Sequence, residues 1–234
     1  MIKQVKGKIF LSDERGHEET EKFRTYRTFN SDNYYNKHKM AFGSLYVLND
    51  DTLAGGQSLK TCADENTLIL ILPLAGPVEY KSNNSGSTLI EAGELLVSHI
   101  APGDNFEIAN PFETELVNFL QFRFSIHGNN DQFLCRKLSF NLAANENSLV
   151  PVFPVNENAT GLGLSIGRFK GREETVYAMQ SKNKGLFLFV IEGAFEAEGR
   201  LLHARDGLAL WETGEAEIEA LSNDAIILAV EVPL

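Results

Sequence analysis

The residues of this chain best suited to bind a metal or act as a nucleophile are five histidines and two cysteines. His17, His38, His99, His127 and His203 stand alone: none lies two or four positions from another, so no strand or helix turn brings two imidazoles to one face. Lone histidines of this kind read as surface or hydrogen-bonded structural residues, with His17 the one suited to a pocket mouth. Cys62 and Cys135 have no base that the sequence places beside them. Asp50-Asp51 and Glu173-Glu174 are adjacent carboxylates, which face opposite ways on a strand and are solvated in a turn. Gly161-Leu162-Gly163-Leu164-Ser165-Ile166-Gly167 has its third glycine one position too late for a dinucleotide loop, and reads as a loop or edge strand. Phosphate loops and Cys-x-x-Cys pairs do not occur.

Charge and hydropathy narrow the partners. Asp and Glu number 32 against 21 Lys and Arg, a net charge of −11 that repels phosphate backbones and anionic bilayers. No apolar run approaches the ~18 residues of a spanning helix; the longest, Leu68 to Ala75, is broken by Pro73. The basic opening residues lack a following apolar segment and a cleavage site, so the expectation is a cytoplasmic protein with reduced thiols and chance glycosylation sequons at Asn83 and Asn158. Direct nucleic-acid binding and membrane insertion are not expected.

The elements that must position any site are strands. Short apolar runs recur between turn signals: Leu45–Leu48 before Asn49-Asp50-Asp51, Leu68–Leu74 before Ala75-Gly76-Pro77, Leu95–Val97, and Asn105–Ala109 before Asn110-Pro111. Glu115 to Ile126 alternates, with Leu116, Asn118, Leu120, Phe122, Phe124 and Ile126 on one face. The polar stretch His127–Gln132 closes this half. Phe133–Ser148 reads as a linker with a helical turn. Leu186–Ile191, Ala194–Ala197, Leu208–Trp211, Glu217–Ala220 and Ala225–Val232 then repeat the theme. An all-β chain of two units follows, with boundaries 1–128, 129–150 (linker) and 151–234. Most of the 16 phenylalanines, and Trp211, are expected in the cores; some could line an apolar pocket.

Longer motifs carry a family resemblance. RTFNSDNYYNKHKMAFGSLYVLNDD, from Arg27 to Asp51, has a Thr-Phe pair, a paired Tyr, a Met-x-Phe and a strand ending in Asn-Asp-Asp. Together with Glu14-Arg15-Gly16-His17 upstream and Asp206-Gly207-Leu208-Ala209-Leu210-Trp211 downstream, it resembles bacterial members of the pirin family. That resemblance implies a bicupin, two cupin-like β-barrels (double-stranded β-helices) in tandem, usually monomeric. It also implies one Fe, Ni, Cu, Mn or Zn ion in the first barrel and none in the second. Some members are quercetin 2,3-dioxygenases; others are described as nuclear or transcriptional cofactors.

The family's metal site is a His-x-His pair after a glycine-rich turn and a His-x-Glu pair on a later strand. Each pair points inward, because residues two apart share a strand face. Anchored on Gly56 and Gly76, the first pair falls on Cys62 and Asp64; anchored on Gly103 and Asn110, the second falls on Phe106 and Ile108. Phe and Ile cannot coordinate an ion, and a thiol with one carboxylate is a poor remnant. The alternative is a set rebuilt from Cys62, Asp64, His99 and Glu65; His99, Glu65 and His17 are otherwise candidates for the rim. The expectation is therefore a degenerate metal site with no cofactor, in a pirin-like protein that binds a small apolar molecule or a protein partner. The reading leans away from an enzyme; its rival is a dioxygenase with a non-standard metal set.

Overall fold

The computed structural model describes residues 5–83, 85–126, 135–157, 160–181 and 183–234, so that 127–132, His127 included, and Asn158 lie outside the described residues. Among them the regular structure is β-strand, apart from single 3-10 turns at Ser12–Glu14, Ala143–Asn145 and Val155–Glu157. No helix there is long and apolar enough to cross a membrane. The chain forms two units, one of Gly16–Ser139 and one of the chain up to Arg15 with Phe140–Leu234.

β1 (Lys6–Phe10) leads into the N-terminal unit without belonging to it. That unit contains β2 (Gly16–Glu19), β3 (Phe23–Arg27), β4 (Leu45–Leu53), β5 (Ser58–Cys62), β6 (Thr67–Ala75), β7 (Val78–Ser82), β8 (Gly86–Ile90), β9 (Glu94–Ile100), β10 (Asn105–Ala109), β11 (Val117–Ser125) and β12 (Arg136–Ser139). A seven-stranded sheet, β12-β9-β6-β11-β4-β3-β2, faces a four-stranded sheet, β5-β10-β7-β8, and all pairings are antiparallel. Alternation decides what fills the space between them. Ile69, Ile71 and Phe119 from the larger sheet meet Tyr80, Ile90, Phe106 and Ile108 from the smaller one.

The C-terminal unit contains β13 (Val150–Phe153), β14 (Gly163–Phe169), β15 (Glu174–Ala178), β16 (Lys184–Glu192), β17 (Ala194–Ala197), β18 (Arg200–His203), β19 (Gly207–Trp211), β20 (Glu215–Ala220) and β21 (Ala225–Pro233). Its sheets run β1-β19-β16-β21-β14-β13 and β15-β20-β17-β18. Leu186, Leu188, Leu208 and Ile227 pack there against Phe195, Leu202 and Ile218.

These units divide the chain differently from the expected 1–128, 129–150 and 151–234. β1 pairs with β19, from Lys6 opposite Trp211 to Phe10 opposite Gly207. Phe10 is buried and meets Phe187 edge-on at 5.5 Å. A Cβ on Gly7 would lie 2.8 Å from a Leu210 methyl, so glycine is what lets the strands approach there. β12, inside the expected linker, pairs with β9. The expected loop or edge strand at Gly161–Gly167 is instead mostly β14, an inner strand between β21 and β13. A Cβ on Gly167 would sit 2.7 Å from the Ser148 carbonyl oxygen, so its glycine serves close packing.

The Asp206-Gly207 start of the downstream motif has a structural purpose. Buried Asp206 accepts the Ser12 N–H at 2.7 Å and the His203 N–H at 2.9 Å, tying the residues after β1 to the turn before β19. Gly207 lies under the Phe187 ring, which a Cβ would approach to 2.6 Å.

Candidate functional site

β10 runs between β5 and β7, with Phe106 opposite Thr61 and Ile108 opposite Leu59. Facing residues of an antiparallel pair share a face, so Leu59 and Thr61 join Phe106 and Ile108 on the inner side. Phe106 and Ile108 are buried in the core. Cys62 lies opposite Asn105, and both are exposed, as is Asp64. The inward pair on this segment is thus Thr61 and Ala63, one position out of phase with Cys62 and Asp64.

A cavity of about 80 Å³ opens at this end of the unit, lined by Cys62, Ala63, Asp64, Glu65 and Phe106 and by Tyr46, Thr67 and Arg123. Cys62, Asp64, Glu65 and Phe106 therefore come together, the first three from exposed positions. Ile108 lies deeper and is not part of the lining. The flanking residues used as anchors are structural: Gly56 donates its N–H to the Phe112 carbonyl at 2.7 Å, and the Asn110 side-chain amide donates to the carbonyls of Leu53 and Glu115.

The rim candidates separate. His99 is buried on β9 opposite Leu68, and it does not line the cavity. Neighbouring Ser98 faces the core, where it accepts the Tyr80 hydroxyl at 3.0 Å, so alternation turns His99 the other way. His17 lies on β2, stacks on Tyr26 at 4.7 Å and reaches Glu19 at 3.3 Å. Both cysteines are free thiols. Among the described residues no three His, Cys, Asp or Glu side chains are grouped so as to hold a metal ion. The positions the resemblance assigns to metal ligands thus carry two core hydrocarbons and two exposed groups, which do not fit the ion.

Arg123 was not a candidate from the sequence. On β11, Val117 and Phe119 face the core, and the same parity carries Gln121 and Arg123 to the inner side. The guanidinium donates through Nε to Gln121 Oε1 at 2.6 Å and through Nη2 to Thr61 Oγ1 at 3.4 Å. Its central carbon lies 5.1 Å from the centroid of the Phe106 ring, within cation–π range. Burial pulls its pKa below the usual arginine value, against the attraction of Tyr46, Asp32, Asp51 and Asp64. The polar residues interrupting an apolar strand, Gln121 and Arg123, were the available signal.

The polar wall continues onto β4 and β3. Asp51 lies opposite Phe119 and Thr25, and Asn49 opposite Gln121 and Arg27. Burial pushes the Asp51 carboxyl up to about 7, with the neighbouring Asp50 charge adding to the rise; Thr25 and the Arg123 and Arg27 charges pull it down. Among the described residues Asp51 Oδ1 and Thr25 Oγ1 nonetheless fall short of a hydrogen bond, and Asn49 Oδ1 has none either. Nearer the cavity, Thr67 donates to the Glu65 carbonyl at 3.0 Å. The 2.8 Å contact of Tyr46 with Thr67 Oγ1 then has Tyr46 as donor, leaving the phenolic oxygen able to accept.

A larger depression of about 530 Å³ lies on the four-stranded sheet of the C-terminal unit, lined by Glu174, Glu196, Glu198, Glu217 and Glu219 among others. Glu219 is directly opposite both Glu174 and Glu196, an arrangement of like charges suited to solvent.

Two tandem β-sandwich units with this strand order make the protein a bicupin. The structure of YhhW from Escherichia coli superposes with a TM-score of 0.85 at 22% identity, over 97% of this chain and 98% of that one; YhhW in complex with nickel(II) gives 0.83. The family described as the quercetinase C-terminal cupin domain matches residues 160–232. The quercetin 2,3-dioxygenase of Escherichia coli K12 is 24% identical over 221 residues, covering 93% of this chain and 95% of that protein. The pirin-like protein YhaK of the same organism is 25% identical over 115 residues, 49% of each chain. Within the bicupin fold, then, this chain is similar to pirin-like proteins and to quercetin 2,3-dioxygenases.

Proposed function

We propose that this chain is a metal-free, pirin-like binding protein whose N-terminal unit holds a small molecule. One observation carries the reading: at the positions the resemblance gives to metal ligands, two side chains are core hydrocarbons, and the Arg123 guanidinium lies over one of them. A fixed positive charge there opposes a second cation, and the exposed Cys62 and Asp64 supply too few donors to outweigh it. The small apolar ligand expected from the sequence needs qualification, because Arg123, Tyr46, Thr67, Asp64 and Glu65 bring polar groups to the cavity wall. Its volume of about 80 Å³ is also well below the ~300 Å³ at which pockets for drug-sized ligands begin, so a three-ring flavonol is disfavoured. A protein partner is the other expected role.

The names of the relatives favour a second reading, a flavonol dioxygenase with an unusual metal set. Elemental analysis of protein purified without chelator separates the two. Less than about a tenth of an equivalent of Fe, Ni, Cu, Mn or Zn per chain, with no flavonol turnover after metal is added, is expected. Near one equivalent, or turnover that depends on added metal, would overturn the metal-free reading.

A further inference from the structure

We infer that the N-terminal unit binds a small monocarboxylate through the Arg123 guanidinium. The inference deepens the metal-free reading and rests on it. Three features carry it: the state of the guanidinium, the space before it, and the charges around that space.

Arg123 is half-buried, and among the described residues it makes no ion pair with a carboxylate; its partners are the neutral Gln121 amide and Thr61 hydroxyl. A partly desolvated guanidinium held only by neutral groups keeps donor capacity and a preference for an anion. The guanidinium carbon lies over the Phe106 ring at 5.1 Å, and the bonds to Gln121 and Thr61 hold the group in place. Such a fork accepts a planar carboxylate through two parallel hydrogen bonds, which an ammonium could not match.

The cavity of about 80 Å³ meets Arg123 directly. At about 30 Å³ for each water in the liquid, it has room for two or three waters, or for an anion of roughly four heavy atoms such as acetate. The Phe106 ring offers an apolar surface to the methyl end of such a ligand.

Charge sets the selectivity. Asp64 and Glu65 line the same cavity from exposed positions, while Asp51 and Asp32 act on Arg123 from further off. Exposed carboxylates are screened by water and salt more than the half-buried guanidinium is, so one negative charge is still attracted. A dianion meets twice the repulsion from Asp64 and Glu65. Acetate and formate are therefore favoured over oxalate and hydrogen phosphate.

The test is titration of the full chain with sodium acetate against sodium chloride at matched ionic strength, near pH 7.5, followed calorimetrically and by thermal melting. Metal content is measured on the same preparation. Saturable acetate binding is expected, weakened about thirtyfold or more in Arg123→Gln, with oxalate and phosphate weaker than acetate. A wild-type measurement that does not depend on the folding of Arg123→Gln stands beside it: the Arg123 Nε–H resonance of nitrogen-labelled protein must shift saturably with acetate. Acetate indistinguishable from chloride, an unmoved Arg123 resonance, or equal binding by folded Arg123→Gln would each overturn the inference. If the protein is metal-free and acetate still fails, the anion site alone falls. A full equivalent of metal overturns the metal-free reading and this one with it.

Discussion

The two units share a plan and differ inside. Between the sheets of the C-terminal unit the core is hydrocarbon, from Leu186, Leu188 and Leu208 to Phe195, Ile218 and Ile227. Its buried carboxylate Glu231 is answered by local partners: Lys184 at 3.3 Å, the Tyr177 hydroxyl at 3.3 Å and the Gln180 N–H at 3.2 Å. The N-terminal unit has an equally dense apolar floor but carries Arg123, Gln121, Asp51, Asn49 and Thr25 on its inner walls, several with polar atoms left over. One duplicated architecture thus serves two ends. The C-terminal unit has used its interior for packing, and the N-terminal unit keeps polar groups that packing alone does not require.

The sharpest way to break this comparison is to put a guanidinium where the C-terminal unit has none. Leu188→Arg buries an unpaired charge in a full hydrocarbon core, and a loss of at least about 4 kcal/mol is expected by urea denaturation. Arg123 is tolerated in the N-terminal unit, so a similar tolerance at Leu188 would erase the distinction.

Asp51→Asn has the next largest expected effect, and it depends on pH. The folded carboxyl titrates at about 7 against an ordinary 3.8, so the folded state holds its proton more tightly than the unfolded chain. Wild-type stability should therefore fall as pH rises from about 4 to about 7 and level off above, by at most about 4 kcal/mol from this group. Asp51→Asn should remove that slope, gaining on wild type above pH 7 and matching it near pH 4. Parallel stability curves for the two proteins would show that Asp51 is not held neutral by burial.

Tyr80→Phe tests the apolar floor. Tyr80 is buried, its hydroxyl is pushed up to about 12 by burial, and it donates to Ser98. Loss of that bond should cost about 1–2 kcal/mol; a neutral result would mean the two hydroxyls are not coupled. Cys62→Ala is the smallest, within about 1 kcal/mol, because Cys62 is exposed. A larger loss that added metal reverses would count against the metal-free reading.

Local patterns foretold the strands well. The runs at Leu68–Leu74, Leu186–Ile191 and Ala225–Val232 are strands, because a buried strand needs little more than contiguous apolar residues between turns. Phe106 and Ile108 face inward, as alternation on one strand requires. What depended on a partner strand was hidden: β1 and β12 are short and polar, and only their neighbours β19 and β9 make them strands. The same holds for the cavity. The even face of β11, with Leu120, Phe122 and Phe124, drew the eye as the apolar one, while the odd face supplies Arg123.

The pairing of β1 with β19 also bears on the order of synthesis. Lys6, which pairs its side chain with Glu212, leaves the ribosome 206 residues before it. Gly16–Ser139 contains all the strands of its own two sheets and can fold in the interval. Throughout that time β1 must wait without its partner. Once made, β19 presents an unpaired edge until β1 returns, and such edges invite association with other chains. A fusion placed at the start of this protein would thus burden the unit that is completed last.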